Sequence, residues 1–132
     1  MIIMILHDTT SIVAEKERKI LLIKRGNPPF RGYWALPGGH VEKGEAIAKA
    51  AQREAKEEVS GVKITKKAFS FVHDSRIGHR HRCHVFFGKV VGKIYAGDDA
   101  VGAKWFTLEQ MKKMNVTAYT IYILNRIYEK EL

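Results

Sequence analysis

The chain has 132 residues, of which 45% are hydrophobic and 28% are charged, a balance typical of one soluble globular domain. Its apolar runs are too short to cross a bilayer, and its single cysteine, Cys83, excludes a disulfide framework within the chain. The 23 basic and 14 acidic residues give a net charge of +9, which favours anionic partners such as phosphorylated small molecules or nucleic acid.

The first third of the chain predicts a long hairpin. We expect a strand over residues 1–7, a polar segment rich in turn formers over 8–18, and a second strand over 19–25. A loop must follow at 26–29, because two adjacent prolines cannot join a regular ladder. A short strand over 34–36 then leads into a Pro-Gly-Gly sequence.

Residues 45–59 predict a helix. This segment has no glycine or proline and contains five alanines. Ile47, Ala51 and Ala55 recur at every fourth position and form an apolar stripe. Small side chains in that stripe permit the helix to pack closely on a sheet.

The second half of the chain predicts more strands. Residues 62–72 and 83–91 are typical of long strands joined by a polar turn around 74–78, and 104–106 of a short strand.

Two helices are expected near the end of the chain. Thr107 followed by Gln110 indicates a capping box that opens a short helix through Met114, and residues 116–131 are amphipathic. Strands interspersed with a few helices predict an α/β fold, with a mixed sheet between helices, as a single domain over residues 1–132.

Three glutamates in the predicted central helix indicate a metal site. Glu54, Glu57 and Glu58 stand at i, i+3 and i+4, within one arc of roughly 100°. Carboxylates crowded in this way repel one another unless a cation compensates, and Mg²⁺ prefers oxygen ligands and shares substrate phosphates. The alternative is a solvated acidic face, although the helix macrodipole disfavours negative charge in this last half of the helix.

The residues around these glutamates resemble the Nudix box. The matching positions, at the spacing of that motif, are Gly39, Glu45, Arg53, Glu54, Glu57 and Glu58. In one departure, the family expects glycine two residues after the paired glutamates, where Ser60 stands, and Gly61 comes one residue late. We interpret this as a one-residue extension of the helix end.

The resemblance implies an α/β/α sandwich in which the box forms a loop–helix–loop. It also implies Mg²⁺-dependent hydrolysis of a diphosphate linkage, with Mn²⁺ as a substitute cofactor. Glu54, Glu57 and Glu58 would bind the metal, with the backbone carbonyl of Gly39 as a further ligand. Arg53 would orient the glutamates through charge-assisted hydrogen bonds.

The resemblance offers two candidates for the catalytic base, Glu54 and Asp99. By the resemblance, Glu54 can be a metal ligand or help to deprotonate water, and a base can also lie outside the box, where Asp99 is preferred over Asp98. A plain turn at residues 97–99 is the alternative for the aspartates. Glu45 is the expected ion-pair partner of Arg53.

Residues 25–39 resemble the ADP-ribose pyrophosphatase branch of the family, which implies conversion of ADP-ribose to AMP and ribose 5-phosphate. Arg25 and Arg76 would supply cations for the phosphates, and Phe30 and Trp34 an aromatic surface for the base. Core packing is the alternative for Trp34, and solvation is the alternative for the two arginines.

Other functions remain open at this point. A nucleoside-triphosphate pyrophosphohydrolase that clears damaged nucleotides and a non-catalytic nucleotide-sensing module are the alternatives. Nucleic-acid binding is disfavoured because the basic residues are dispersed along the chain. Without a signal peptide, and with one cysteine, the sequence favours the cytosol, and its short apolar runs predict no membrane partner. The branch resemblance implies a possible homodimer.

Residues 79–84 form an unusual basic cluster. Alternation along a strand would place His79, His81 and Cys83 on one face. A zinc site is one interpretation, but a basic patch near the phosphate pocket or a solvated hairpin end is favoured. The histidines predict activity that is sensitive to pH between about 5 and 8.

Overall fold

The computed structural model describes residues 3–97 and 100–132, except for the side chain of Arg76. The described part forms the following seven strands and three helices: β1 (Ile5–Lys16), β2 (Lys19–Arg25), β3 (Trp34–Ala35), β4 (Gly38–His40), α1 (Ile47–Val59), β5 (Ser60–Arg76), β6 (His79–Ile94), β7 (Ala100–Phe106), α2 (Leu108–Met111) and α3 (Ala118–Tyr128). None of these helices has the length and apolar character needed to cross a lipid bilayer.

Strand β1 joins most of the sheet. Residues 5–14 pair in parallel with residues 79–88 of β6, and residues 9–11 pair on the other side with antiparallel β4. β6 pairs with β5 in a long antiparallel hairpin, and β2 pairs with β1, β3 and β7. Parallel and antiparallel neighbours therefore make a mixed sheet, as predicted.

The predicted hairpin is present, but the predicted bounds of its first strand were wrong. β1 continues to Lys16 and meets β2 across Glu17 and Arg18, whose positive φ angles of 52° and 63° suit a two-residue hairpin turn. The polar residues Thr9, Thr10 and Ser11 are buried inside the sheet, because β4 and β6 cover both edges of β1 there. The identity of the neighbouring strands thus overrode local polarity.

The sheet separates two hydrophobic layers. Ile12 and Ala14 face Ala55 and Val59 of α1, whereas Val13 lies in the opposite cluster. That second cluster contains Met111 of α2 and Ile123 and Leu124 of α3. Helices therefore cover both faces, which confirms the α/β/α sandwich.

The ends of the helices follow local signals. The expected capping box opens α2: Thr107 accepts from the Gln110 backbone N–H at 3.1 Å, and the Gln110 side chain accepts from the Thr107 N–H at 2.8 Å. α3 begins later than predicted, because Val116 bridges to Trp34 of β3 before the helix starts.

The expected extension at the end of α1 was wrong. The helix ends at Val59, and Ser60 adopts a φ of 69° and a ψ of −86° as the C-cap. Serine therefore takes the sharp turn at the position where the box pattern has glycine. Gly61 serves another purpose, since a side chain there would overlap the Gly92 backbone of β6.

Ala55 tests the close packing of α1 on the sheet. Ala55→Leu should lower the free energy of unfolding by about 1–3 kcal/mol, because the site is fully buried and extra methylenes overpack the interface. Ala48→Leu, at an exposed position of the same helix, is the matched control and should change it by less than about 0.5 kcal/mol. Urea denaturation measures both, and equal effects would contradict this packing.

Candidate active site

Arg53 joins α1 to the loop before it. Its Nε and Nη2 donate to the two carboxylate oxygens of Glu45 at 2.8 and 3.0 Å, a bidentate pair. Nη2 also donates to the His40 backbone carbonyl at 3.0 Å, and Nη1 donates to Glu54 Oε1 at 2.9 Å. One guanidinium thus fixes the loop, the helix and an acidic side chain relative to one another.

The same contacts keep Glu45 ionised. The hydrogen bond from Arg53, with help from the Glu42 backbone N–H, lowers the pKa of Glu45 from 4.5 to about 2. The carboxylate in turn raises the pKa of Arg53. A group with a lowered acidic pKa keeps its charge above that value, so this ion pair persists from mildly acidic to basic pH.

Glu54 lies in the wall of a cavity of about 310 Å³ that Gly39 and Glu58 also line. Its side chain is 14% exposed. Burial raises the pKa of Glu54, whereas the hydrogen bond and charge of Arg53 act in the opposite direction. A side chain at position 39 would overlap the Glu54 carboxylate, so only glycine lets the loop approach the helix this closely.

The paired glutamates have different surroundings. Glu58 lines the cavity, whereas the Glu57 side chain is 58% exposed and lies 3.3 Å from Arg53 Nη1. In the described part of the chain, no three His, Cys, Asp or Glu side chains are already placed to hold a metal ion. The Glu54 and Glu58 carboxylates are nevertheless oxygen donors on one cavity, the donor type that suits a hard divalent cation.

The loop after β6 packs against the end of α1. The backbone N–H of Gly97 donates to the Glu58 carbonyl at 2.7 Å, and a side chain at position 97 would overlap the Glu57 carbonyl. The candidate base Asp99, with Asp98, lies outside the described residues.

A second cavity, of about 660 Å³, adjoins the first. Arg25, Gly38, Gly39 and His40 line both cavities, and Phe30 lines the second. Arg25 Nε donates to the Pro29 carbonyl at 2.9 Å, which holds the guanidinium at the junction. The structure thus brings two of the four candidate substrate-binding residues to these cavities.

Of the other two candidates, Trp34 does not lie at these cavities. Trp34 packs edge-on against Phe106, with ring centroids 4.8 Å apart, and contacts the hydrophobic layer under α3. It is not among the residues that line the two cavities, which favours the core-packing alternative. For Arg76 the backbone pairs with His79, and its side chain is not described.

The basic cluster at residues 79–84 is joined in the structure by histidines from other strands. His79, His81 and Cys83 line the second cavity together, as alternation predicted. His7, His40 and His73 join them because β1 and β5 run beside β6 and β4 runs beside β1, a placement that sequence spacing did not reveal. The zinc interpretation gains no support, since the described residues contain no ready group of three ligands.

Cys83 is a buried thiol. Its Sγ lies 3.3 Å from Ser11 Oγ. Burial raises the pKa of Cys83, so the thiol stays protonated at neutral pH. It therefore lacks the thiolate character of a catalytic nucleophile.

Comparisons with known proteins agree with this arrangement. The family profile described as the NUDIX domain matches residues 6–124. An ADP-ribose pyrophosphatase from Methanocaldococcus jannaschii is 40% identical over 114 residues, which cover 83% of this chain and 68% of that protein. A Bacillus subtilis protein whose provisional name is 8-oxo-dGTP diphosphatase is 36% identical over 96 residues, which cover 71% of this chain and 61% of that protein.

A solved structure is also similar. It is the crystal structure of a bifunctional NMN adenylyltransferase/ADP ribose pyrophosphatase from Francisella tularensis, complexed with AMP and Mn ion. It has a TM-score of 0.79 and 26% identity to this chain, and the match covers 96% of this chain and 42% of that one. This chain therefore spans less than two thirds of both the Bacillus and the Francisella proteins.

Arg53→Lys tests the central role of the guanidinium. Lysine keeps the charge but cannot make the bidentate and bridging hydrogen bonds, so the free energy of unfolding should fall by about 1–3 kcal/mol. The control is Arg80→Lys, whose arginine makes one exposed pair with Asp74 and should matter by less than about 0.5 kcal/mol. If urea denaturation finds the two variants equally stable, the proposed role of Arg53 is wrong.

Proposed function

Because this chain belongs to the Nudix family of hydrolases, we propose that it cleaves the diphosphate linkage of a nucleoside diphosphate derivative. ADP-ribose is the first candidate substrate, with AMP and ribose 5-phosphate as products. The observation that carries this proposal is the convergence of Arg53, Glu54, Glu58 and Gly39 at one cavity. The Methanocaldococcus relative supports the choice of ADP-ribose.

Mg²⁺ is the proposed cofactor, and Mn²⁺ would substitute for it. Glu54 and Glu58 would hold it with the Gly39 carbonyl, and Glu57 would join them from the neighbouring position of the same helical turn. When bound, the cation polarises the diphosphate and neutralises the charge that develops on the leaving phosphate. The Mn ion in the Francisella structure supports a divalent cation.

The side chains of this chain would position and deprotonate the attacking water. Arg53 holds Glu54 through a hydrogen bond of 2.9 Å. Water attacks a phosphorus atom, its proton passes to a carboxylate, and the P–O bond to the leaving phosphate breaks. Glu54 and Asp99 are the two candidates for that carboxylate. Arg25, at the junction of the cavities, would bind a phosphate oxygen.

A second candidate function has its own support. The Bacillus relative favours a nucleoside-triphosphate pyrophosphohydrolase that clears damaged nucleotides. Incubation with Mg²⁺ and either ADP-ribose or 8-oxo-dGTP separates the two. AMP with ribose 5-phosphate supports the first function, and a nucleoside monophosphate with pyrophosphate supports the second. If neither linkage is cleaved in Mg²⁺ or Mn²⁺, both are wrong.

The metal assignment predicts the effect of removing one charge. Glu57→Gln and Glu58→Gln should each lower kcat by about a hundredfold or more, because a neutral amide binds a hard cation poorly. Thermal unfolding without metal should change little. Glu109→Gln, an exposed glutamate of α2, is the control and should keep full activity. Near-normal kcat in both site variants would contradict the assignment.

Arg25 gives a separate prediction on substrate binding. Arg25→Ala should raise KM about tenfold with a smaller change in kcat, because a charge-assisted hydrogen bond to phosphate is lost. Lys19→Ala, at the exposed start of the same strand, is the control. Initial rates over a range of ADP-ribose concentrations measure both constants, and an unchanged KM would remove Arg25 from the binding site.

Cytosolic location and a homodimer remain predictions. Cell fractionation tests the first, and sedimentation velocity tests the second.

A further inference from the structure

The larger cavity has a feature that diphosphate hydrolysis does not require. Five of the six histidines of the chain line it: His7, His40, His73, His79 and His81. They come from four strands that the sheet brings side by side. A volume of about 660 Å³ lies within the range of small-molecule sites, which is about 300–1,000 Å³.

His81 lies at the centre of this group. Its ring meets those of His7, His40 and His73 edge to face, with centroids 5.8, 5.4 and 5.3 Å away and interplanar angles of 87°, 86° and 85°. The His73 ring continues in a stack with Tyr119 of α3, at 5.9 Å. Aromatic rings therefore form one continuous part of the cavity wall.

Two histidines of this wall, His73 and His81, favour the neutral form at neutral pH. Burial, followed by repulsion from the surrounding histidines, lowers the pKa of His81 to about 4, and burial also lowers the pKa of His73. Asp74, a charged residue of the same cavity, accepts from Arg80 Nε at 2.8 Å, and Arg25 lies at the junction with the smaller cavity, where the proposed function places a phosphate.

Neutral imidazoles offer a specific chemistry. Each ring has one N–H donor and one nitrogen acceptor, and the rings pack well against flat aromatic groups. A nucleobase presents a flat ring with donors and acceptors along its edge. A phosphate offers only acceptors and negative charge, so this wall suits it poorly.

The two cavities share Arg25, Gly38, Gly39 and His40 as lining residues. A diphosphate held beside Glu54 and Glu58 would therefore leave its attached nucleoside free to enter the larger cavity. We propose that the histidine-lined cavity binds the nucleobase of the substrate, with His81 and His73 as the residues that determine base preference. This inference rests on the proposed function, whose substrate carries a base.

Nucleoside binding tests the inference without metal or turnover. Calorimetry with adenosine and guanosine at pH 7.5 should give saturable binding, because the imidazoles of His81 and His73 offer a base both hydrogen bonds and a flat packing surface. Inorganic phosphate should not compete. If neither nucleoside binds, or if phosphate binds more tightly as the pH falls and nucleosides do not displace it, the inference is overturned.

His81→Phe keeps an aromatic ring but removes both nitrogens. It should weaken nucleoside binding about tenfold, and should raise KM for the diphosphate substrate more than it lowers kcat. Arg82→Gln is the matched control, since this neighbouring side chain points to the other face of β6 and is not among the residues lining the cavity. Circular dichroism of both variants checks folding, and His73→Phe gives a second chance if His81→Phe does not fold. If a folded variant binds nucleosides as tightly as the unmodified protein, that histidine does not determine base preference.

The outcomes separate this inference from the proposed function. If nucleoside binding weakens in His81→Phe but no diphosphate is hydrolysed, the proposed function is wrong and the inferred base site is supported. If ADP-ribose is hydrolysed and its KM is unchanged in folded His81→Phe and His73→Phe, the proposed function is supported and the inferred base site is wrong.

Discussion

The bidentate pair between Arg53 and Glu45 is the interaction on which the candidate site depends. A helix that carries several glutamates on one side is unfavourable by itself, because like charges on successive turns repel. Here one guanidinium contacts Glu45, Glu54 and Glu57 and also binds the His40 carbonyl. The contact therefore neutralises part of the acidic charge and ties the loop to the helix in the same step. The hydrogen bond and charge of Arg53 offset part of the cost of burying the Glu54 carboxylate.

The mixed sheet supplies the second constraint. β1 pairs in parallel with β6 on one side and antiparallel with β4 on the other. Residues that are far apart in sequence therefore lie next to one another in the sheet. The glycine loop at β4 is thereby pressed against α1, where Gly39 has no side chain to obstruct the Glu54 carboxylate. The same pairing gathers the histidines of β1, β4, β5 and β6 into one cavity. The small and large cavities meet at this loop, so the two proposed halves of a substrate site depend on one strand arrangement.

Much of the fold could be predicted from local patterns. Helix α1 has strong propensity and a stripe of small residues, and the capping box at Thr107 is a contact within one turn, so neither needs the rest of the protein. The first strand was misplaced because Thr9, Thr10 and Ser11 are polar and are buried only through strands that arrive later in the chain. The end of α1 was misjudged because serine, at Ser60, adopts a φ of 69° that sequence patterns assign to glycine.

The sequence by itself determined the order of the box residues and the helix that carries them, since both follow from spacing and propensity along one segment. The resemblance to the box added Glu45 as the expected partner of Arg53. Only the tertiary structure decided that Glu58 lines the cavity while Glu57 lies toward Arg53 and solvent, that Trp34 packs in the core, and that Arg25 spans two cavities. It also decided that five dispersed histidines surround one space. The physical reason is that spacing fixes which residues share a face of one element, whereas strand pairing and burial decide which faces meet.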